Sequence, residues 1–529
     1  MILNRLFVPL LAAGLLAAAP MPRLEKAENG TFQLLVDDRP FLILGIQTSN
    51  SSGFPAELQR TWPLARKIHA NTVEIPIQWQ VVEPAQGKFD FSIVDGLVAG
   101  ARDNNLRLIL AWFGGFKNAA MHYAPAWVKE DKAYPRMIDQ SGNPMRTLAA
   151  DAETTIEADS RAFAAFMRHL KEIDGDRHTV IAVQVENEAG VLGTDRDHSE
   201  RANYLFGQQV PAAALAAFHK DKPGTWAEVF GSHAAETFAA YYQALYLNRV
   251  AAAGKKEFPL PLFINVWTDI QDGFYDPGFS HPSGGATTRM LPLYKAIAPA
   301  IDWISPDIYK RNYVQFQEEA LPYRRPDNPL FIPETGRDLT YCRSMFYALG
   351  DMKGLGVSVF GVEGSVDGPA DPAIPNTVAD LAATYRVISA AAPLLAEART
   401  HGLLNSAVEQ EGIATLVLDF GDYEAMAQFG PMNFGYGGAR AAGTPKTTGR
   451  VLIGQLAPRE FVIAGFDATI NFRPRYGSPA PHADFVSAEE GAYEDGQWKP
   501  RRQLSGDEIF FGLRIPAEGA VVKVKLMSY

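Results

Sequence analysis

Val180-Ile181-Ala182-Val183-Gln184-Val185-Glu186-Asn187-Glu188 opens on small and β-branched apolar residues and closes on three polar ones. A strand buried on both faces of a parallel sheet reads as such a near-continuous apolar run, so a strand over 180–186 delivers Asn187-Glu188 at its C-terminal end. Seven further runs share the pattern, at 41–47, 72–78, 106–113, 262–267, 303–309, 330–334 and 357–362, with alanine-rich amphipathic stretches between them. Alternation of short apolar runs with helical periodicity is the mark of βα units. Eight of them predict a (β/α)8 TIM barrel, whose chemistry gathers at the C-terminal ends of the strands.

The run ends carry the expected polar and aromatic residues. They are Trp79 and Glu83-Pro84, Trp112 and Lys117-Asn118, Asn187-Glu188, Asn265 and Trp267, Asp307 and Tyr309, Glu334, and Glu363. Two connections, 121–158 and 189–256, exceed ordinary βα loops and are expected to shape the rim, the second with helical segments of its own.

After about residue 392 the pattern changes to alternating strands with turn signals, including a hairpin at Asp495-Gly496. A C-terminal β-sandwich domain over 400–529 is expected to follow a barrel over 30–392. Gly435, Gly437 and Gly438 fall in a loop of this region without the strand-helix context of a phosphate cradle. At the other end, Arg5 precedes the apolar run 6–19, which ends on Ala17-Ala18-Ala19. This reads as a signal peptide within 1–25 and predicts a periplasmic or secreted protein. No later run of 18 uncharged apolar residues suggests a membrane span after its removal.

Composition narrows the functions. In 529 residues, 47% hydrophobic and 21% charged, a large core can form. A net charge of −11 provides no positive field for nucleic acid. Cys342 is the sole cysteine, which excludes an internal disulfide and a cysteine-based zinc site and suits a buried apolar role. Asp195-Arg196-Asp197-His198 reads as a solvated loop with local ion pairs rather than a metal site, and no metal or cofactor is expected. Composition leaves a homo-oligomer open.

Two glutamates, Glu188 and Glu334, each end a strand, the second within Phe331-Ile332-Pro333-Glu334-Thr335-Gly336. Hydrolysis of a glycosidic bond needs a carboxylic acid to protonate the leaving oxygen and a second carboxylate to attack the anomeric carbon or to activate water. Strand position alone does not separate such a pair from rim ion pairs.

The motif context adds a resemblance. Gln184-Val185-Glu186-Asn187-Glu188 resembles the acid/base motif of glycoside hydrolase family thirty-five. The segment Trp79…Glu83-Pro84…Gly87-Lys88-Phe89-Asp90-Phe91 is similar to the second-strand signature shared by families thirty-five and forty-two. The likeness covers about residues 35–390 and is closest to a bacterial subgroup with a β-sandwich after the barrel. It implies a retaining, exo-acting β-glycosidase, a β-galactosidase first, acting on an oligosaccharide or glycoside. Glu188 would be the acid/base and Glu334 the nucleophile, with Asn187 on the sugar 2-hydroxyl and Tyr309 holding the nucleophile. One departure bears on the sugar: where the family places a Glu for an axial hydroxyl, this chain has Ala111-Trp112-Phe113-Gly114-Gly115-Phe116-Lys117-Asn118. β-Glucosidase, β-xylosidase and α-L-arabinopyranosidase-like action therefore stay open, as does a carbohydrate-binding barrel without turnover. Further substrate-binding candidates are Trp267, Trp112 and Trp79 as stacking surfaces, Lys117 and Asn118 as replacements for the missing Glu, and Glu186 and Glu363 as hydroxyl acceptors.

Overall fold

A computed structural model of the chain describes residues 20–269, 275–365, 377–413, 415–430 and 447–529. The apolar run 6–19 and the glycines 435, 437 and 438 lie outside the described residues. Seven parallel strands run side by side: β1 (Ile43–Gln47), β2 (Thr72–Gln78), β3 (Arg107–Lys117), β4 (Val180–Asn187), β5 (Leu262–Trp267), β6 (Trp303–Asp307) and β7 (Gly356–Phe360), which pairs back onto β1. The expected strand at 330–334 is not a regular one. The segment 330–335 nevertheless fills the remaining place, bridging Ile308 to Thr335 and Ile332 to Val357. Eight staves thus close the barrel.

The closed barrel explains the apolar runs, since β4 and β6 are buried along their whole length. At the N-terminal mouth, the short strands Arg23–Lys26, Phe32–Val36 and Arg39–Phe41 form a separate antiparallel sheet. Leu34 and Val36 from this sheet pack with Ile109, Ile181, Phe263, Trp303 and Phe331 and plug that end. The first of these strands spans the position expected for the end of the signal peptide. The loop 121–158 contains a hairpin, Arg136–Ile138 with Pro144–Leu148, and leads into α1 (Glu153–Asp174). The longer loop ends in α2 (Ala234–Glu257), which packs on α1.

α3 (Leu339–Leu349), α4 (Thr377–Ser389) and α5 (Ala392–Thr400) lead from the barrel to two antiparallel sheets. One has six strands, from Leu404–Val408 to Gln497–Gln503, and the other four, from Thr415–Asp419 to Leu513–Ile515. Phe461, Ile463, Val522 and Val524 of the first meet Ala425, Ala427 and Ile470 of the second in one apolar layer. At the expected hairpin, Glu494 pairs with Gln497 across Asp495 (φ 51°) and Gly496 (φ 80°), both left-handed as a two-residue turn of this type requires. Cys342 is buried in α3, and burial pushes its thiol up to about 12. Among the described residues no single helix is long and apolar enough to cross a membrane.

The six-stranded sheet shares its core with the barrel, Leu452, Val462, Ala464 and Phe466 lying in the same cluster as Phe346 and Leu395. Arg450 sits in this seam, 4% exposed. Its guanidinium lies 3.9 Å from the Phe466 ring centre and 5.6 Å from that of Phe346, and donates to the Thr448 carbonyl and the Thr384 hydroxyl. Arg450→Ala removes a buried cation–π stack and leaves a cavity, so it should cost about 3 kcal/mol, against under about 1.5 kcal/mol for the volume-keeping Arg450→Met. Urea unfolding followed by circular dichroism measures both; an Ala variant as stable as wild type would rule out this role for the stack.

Candidate active site

β4 does not end as a regular strand. Glu186 (φ 62°) and Glu188 (φ 43°) both adopt the left-handed conformation, which costs a non-glycine residue about 1 kcal/mol and is held here by tertiary bonds. The Glu188 N–H donates to Asn265 Oδ1 at 2.9 Å, and Asn265 Nδ2 donates to Asp307 Oδ2 at 2.8 Å. The ends of β4, β5 and β6 are thereby linked. On the next stave, the Ile308 N–H donates to the Glu334 carbonyl (3.0 Å) and the Thr335 hydroxyl to the Ile308 carbonyl (2.6 Å). The Tyr309 hydroxyl donates to Glu334 Oε1 at 2.7 Å, and the Tyr341 hydroxyl steadies the Tyr309 backbone carbonyl from α3.

Lys117, 3% exposed, is the cation of this site. Its Nζ donates to Asn187 Oδ1 (2.6 Å) and Asn118 Oδ1 (2.5 Å) and lies 4.7 Å from the Phe113 ring centre. Glu334, Glu188 and Asp307 all attract its charge, while burial lowers its pKa. The carboxyl groups around it are not equivalent. Burial, then the Glu334 charge, pushes Glu188 up to about 7, with Lys117 and a hydrogen bond to Asp307 opposing. Burial also raises Glu334, but Lys117, Tyr309 and Gln47 each pull it back toward the ionised form. Asp307 is held well above the carboxylate range by burial and by its neighbours Glu334 and Glu188, and Glu74 on β2 by burial and Glu334. A low-dielectric pocket with one cation and several carboxyls cannot ionise them all.

The structure brings together Glu188, Glu334, Asn187, Tyr309, Lys117 and Asn118. Asn187 is fully buried, with Oδ1 taken by Lys117 and Nδ2 without a protein partner. Trp267 ends β5, half-buried, in register with Asp307. Glu363 lies in the turn after β7 and accepts the Ser49 N–H.

Three expected substrate contacts are not made available. Trp79 is 0% exposed because the chain turns into a short helix, Trp79–Val82, that sends the indole into the core, where its N–H donates to Glu83. Glu83 also accepts the Gly87 N–H, so this motif shapes a turn. Trp112 is also 0% exposed, donating to Asp159 and packing on Phe163 and Phe166. Glu186, 1% exposed, has both carboxyl oxygens taken by backbone N–H groups of β3. Glu74, Gln47 and the bonding of Asn265 and Asp307 to Glu188 were not expected. An acid inside the apolar run of β2 was the available signal for Glu74.

Residues 55–239, which include Glu188, match a glycoside hydrolase family described as β-galactosidase. Residues 381–516 match a domain of unknown function, so that match takes in much of α4 and all of α5 as well as most of the two sheets. A β-galactosidase from Xanthomonas manihotis is 29% identical over 206 residues, 37% of this chain and 32% of that protein. The chain thus spans about a third of the length of the curated relative it matches. Among solved structures, it is similar to a β-galactosidase from Rahnella sp. R3 (15% identity, 70% of this chain and 58% of that one, TM-score 0.48). A similar likeness holds to a β-galactosidase from Marinomonas ef1 (13% identity, 67% and 61%, TM-score 0.46).

The Lys117 charge favours ionised Glu188. Lys117→Met should therefore move the Glu188 titration upward from about 7. The carboxyl infrared band of each protein, corrected by its Glu188→Gln counterpart, reads the midpoint; an unchanged or lowered midpoint would contradict the charge arrangement.

Proposed function

We propose that the chain is a retaining exo-acting β-glycosidase, most simply a β-galactosidase, working by double displacement with Glu188 as acid/base and Glu334 as nucleophile. The observation that carries this reading is the unequal pair: Glu188 pushed up to about 7, and Glu334, raised by burial, drawn back toward ionisation by Lys117, Tyr309 and Gln47. A protonated acid beside an ionised nucleophile is what the first step requires. Glu334 bonds to the anomeric carbon as the glycosidic bond breaks and Glu188 gives its proton to the departing oxygen. Glu188, now a base, takes a proton from water, whose oxygen displaces Glu334 with net retention at the anomeric carbon. The free Asn187 Nδ2 would donate to the sugar 2-hydroxyl, Trp267 would stack on a sugar face, and Asn118 and Glu363 would meet other hydroxyls. The reaction needs no metal or cofactor. The substrate is a terminal β-glycoside of an oligosaccharide outside the cytoplasm, since the run 6–19 has the form of an export signal.

Glu188→Gln and Glu334→Gln should each lower kcat on p-nitrophenyl β-galactopyranoside by about 10³-fold or more with unchanged circular dichroism. Azide should restore turnover to Glu334→Gly on an activated substrate. Normal rates for Glu334→Gln would refute the assignment. Aryl β-glucoside, β-xyloside and α-L-arabinopyranoside assayed alongside decide the sugar, because Lys117-Asn118 stands where the family's hydroxyl-reading Glu would be. Because the acid must be protonated, kcat/KM should fall as pH rises through about 7, the pKa of Glu188. A flat profile from pH 6 to 9 would remove Glu188 from that role.

A further inference from the structure

β3 and β4 run in register from Ile109–Ala182 to Trp112–Val185, and the next pair is Lys117 with Asn187. Between those pairs β3 advances five residues and β4 two, so β3 carries a bulge of three extra residues just before Lys117. Bulges next to active sites re-aim the side chains that follow them.

The Glu186 side chain fills this bulge. Its Oε2 accepts the N–H of Gly114 (3.0 Å) and of Phe116 (2.8 Å), and its Oε1 accepts that of Gly115 (2.9 Å). Three successive amides turned onto one carboxyl group are donors that a flat strand would have spent on its neighbour. The sequence permits this only with glycine at the turn: a Cβ on Gly114 would lie 2.5 Å from Glu186 Oε1 and 2.8 Å from Asp159 Oδ1, and one on Gly115 would run into the Tyr246 hydroxyl. Asp159 braces the same bulge from α1, accepting the Trp112 indole N–H, the Gly115 N–H and the Tyr246 hydroxyl. Burial and the neighbouring Asp159 charge push Glu186 well up. Downstream, Lys117 exchanges backbone bonds with Met121, and the Asn118 N–H donates to the Asn187 carbonyl.

We propose that Glu186 is a positioning residue: its carboxyl group, gripped by the amides of Gly114, Gly115 and Phe116, fixes the bulge that aims Lys117 at Asn187 and the two glutamates, and through Lys117 it sets how the site engages a sugar. The functional part rests on the glycosidase reading; the grip itself does not.

Two measurements on the full-length protein test it. Glu186→Gln keeps size and at most two of the three acceptor bonds, setting an amide NH2 against an N–H. Hydrogen exchange of the peptide spanning residues 114–117 should rise about tenfold or more in Glu186→Gln, with the rest of the barrel unchanged. Gly114→Ala, which crowds the same carboxyl group, should do the same, so the test survives if one variant folds poorly. On the best aryl glycoside, Glu186→Gln should lower kcat/KM about tenfold in wild type but under about threefold in a Lys117→Met background, as expected if one residue acts through the other. Unchanged exchange in both variants overturns the proposal. Raised exchange with effects that simply multiply between Glu186→Gln and Lys117→Met also overturns it, leaving Glu186 a support of the fold alone. A wild type inactive on every aryl glycoside, with raised exchange at Lys117 in Glu186→Gln, would refute the glycosidase reading and uphold the grip.

Discussion

One ammonium group among buried carboxyls organises this molecule. Lys117 lies under the rim where the ends of β3 and β4 meet, and its charge is felt by Glu188, Glu334 and Asp307 together. Coulomb attraction is strong where water is excluded, and so is the cost of any charge left without a counterpart. The arrangement therefore constrains much around it. The Asn187 amide is oriented by Lys117 Nζ, and the Glu188 backbone is tied to Asn265, which in turn holds Asp307. Strand ends that a generic barrel leaves to its loops are here locked to one another by side chains.

The two sheets after the barrel bear on the same architecture. They do not hang from a linker: the six-stranded sheet continues the barrel's apolar core through α4 and α5, and Tyr385 on α4 donates to the carbonyls of Gly45 and Val357 on adjacent staves β1 and β7. Arg386, one residue on, reaches the Glu518 carbonyl. The closure of the barrel and the docking of the sheets thus share residues of one helix.

The barrel strands were legible in sequence because a strand covered on both faces must be apolar throughout, as in 180–186 and 262–267. The Asp495-Gly496 hairpin was legible because two left-handed residues in a row suit few sequences. The stave at 330–335 was legible as a strand, but its irregular pairing was not. Which polar side chains would meet was less so. Strand alternation assumes extended backbone, and Glu186 and Glu188 leave it, so the direction of each side chain depends on tertiary bonds to β3 and β5. Trp79 and Trp112 looked like sugar platforms from position alone, but the chain turns inward at Trp79 itself, and Trp112 is covered by α1, which lies far off in sequence. Glu74 was hidden because an acid in an apolar strand makes sense only once the glutamate three staves away around the closed barrel is known.

The stave carrying Glu334 is fastened unevenly. Toward β7 it makes a ladder, with Leu355 donating to Leu330, Ser358 to Ile332 and Phe360 to Thr335; toward β6 it relies on the Ile308 amide, the Thr335 hydroxyl and the Tyr309 phenol. The barrel thus has a meridian along which it is stitched chiefly by side chains. Any breathing of the cylinder would run down that line and part Tyr309 from Glu334 while every helix stayed wound. The phenol is in this sense a clasp as well as a ligand to the carboxylate, and the site would lose its shape before the molecule lost its fold.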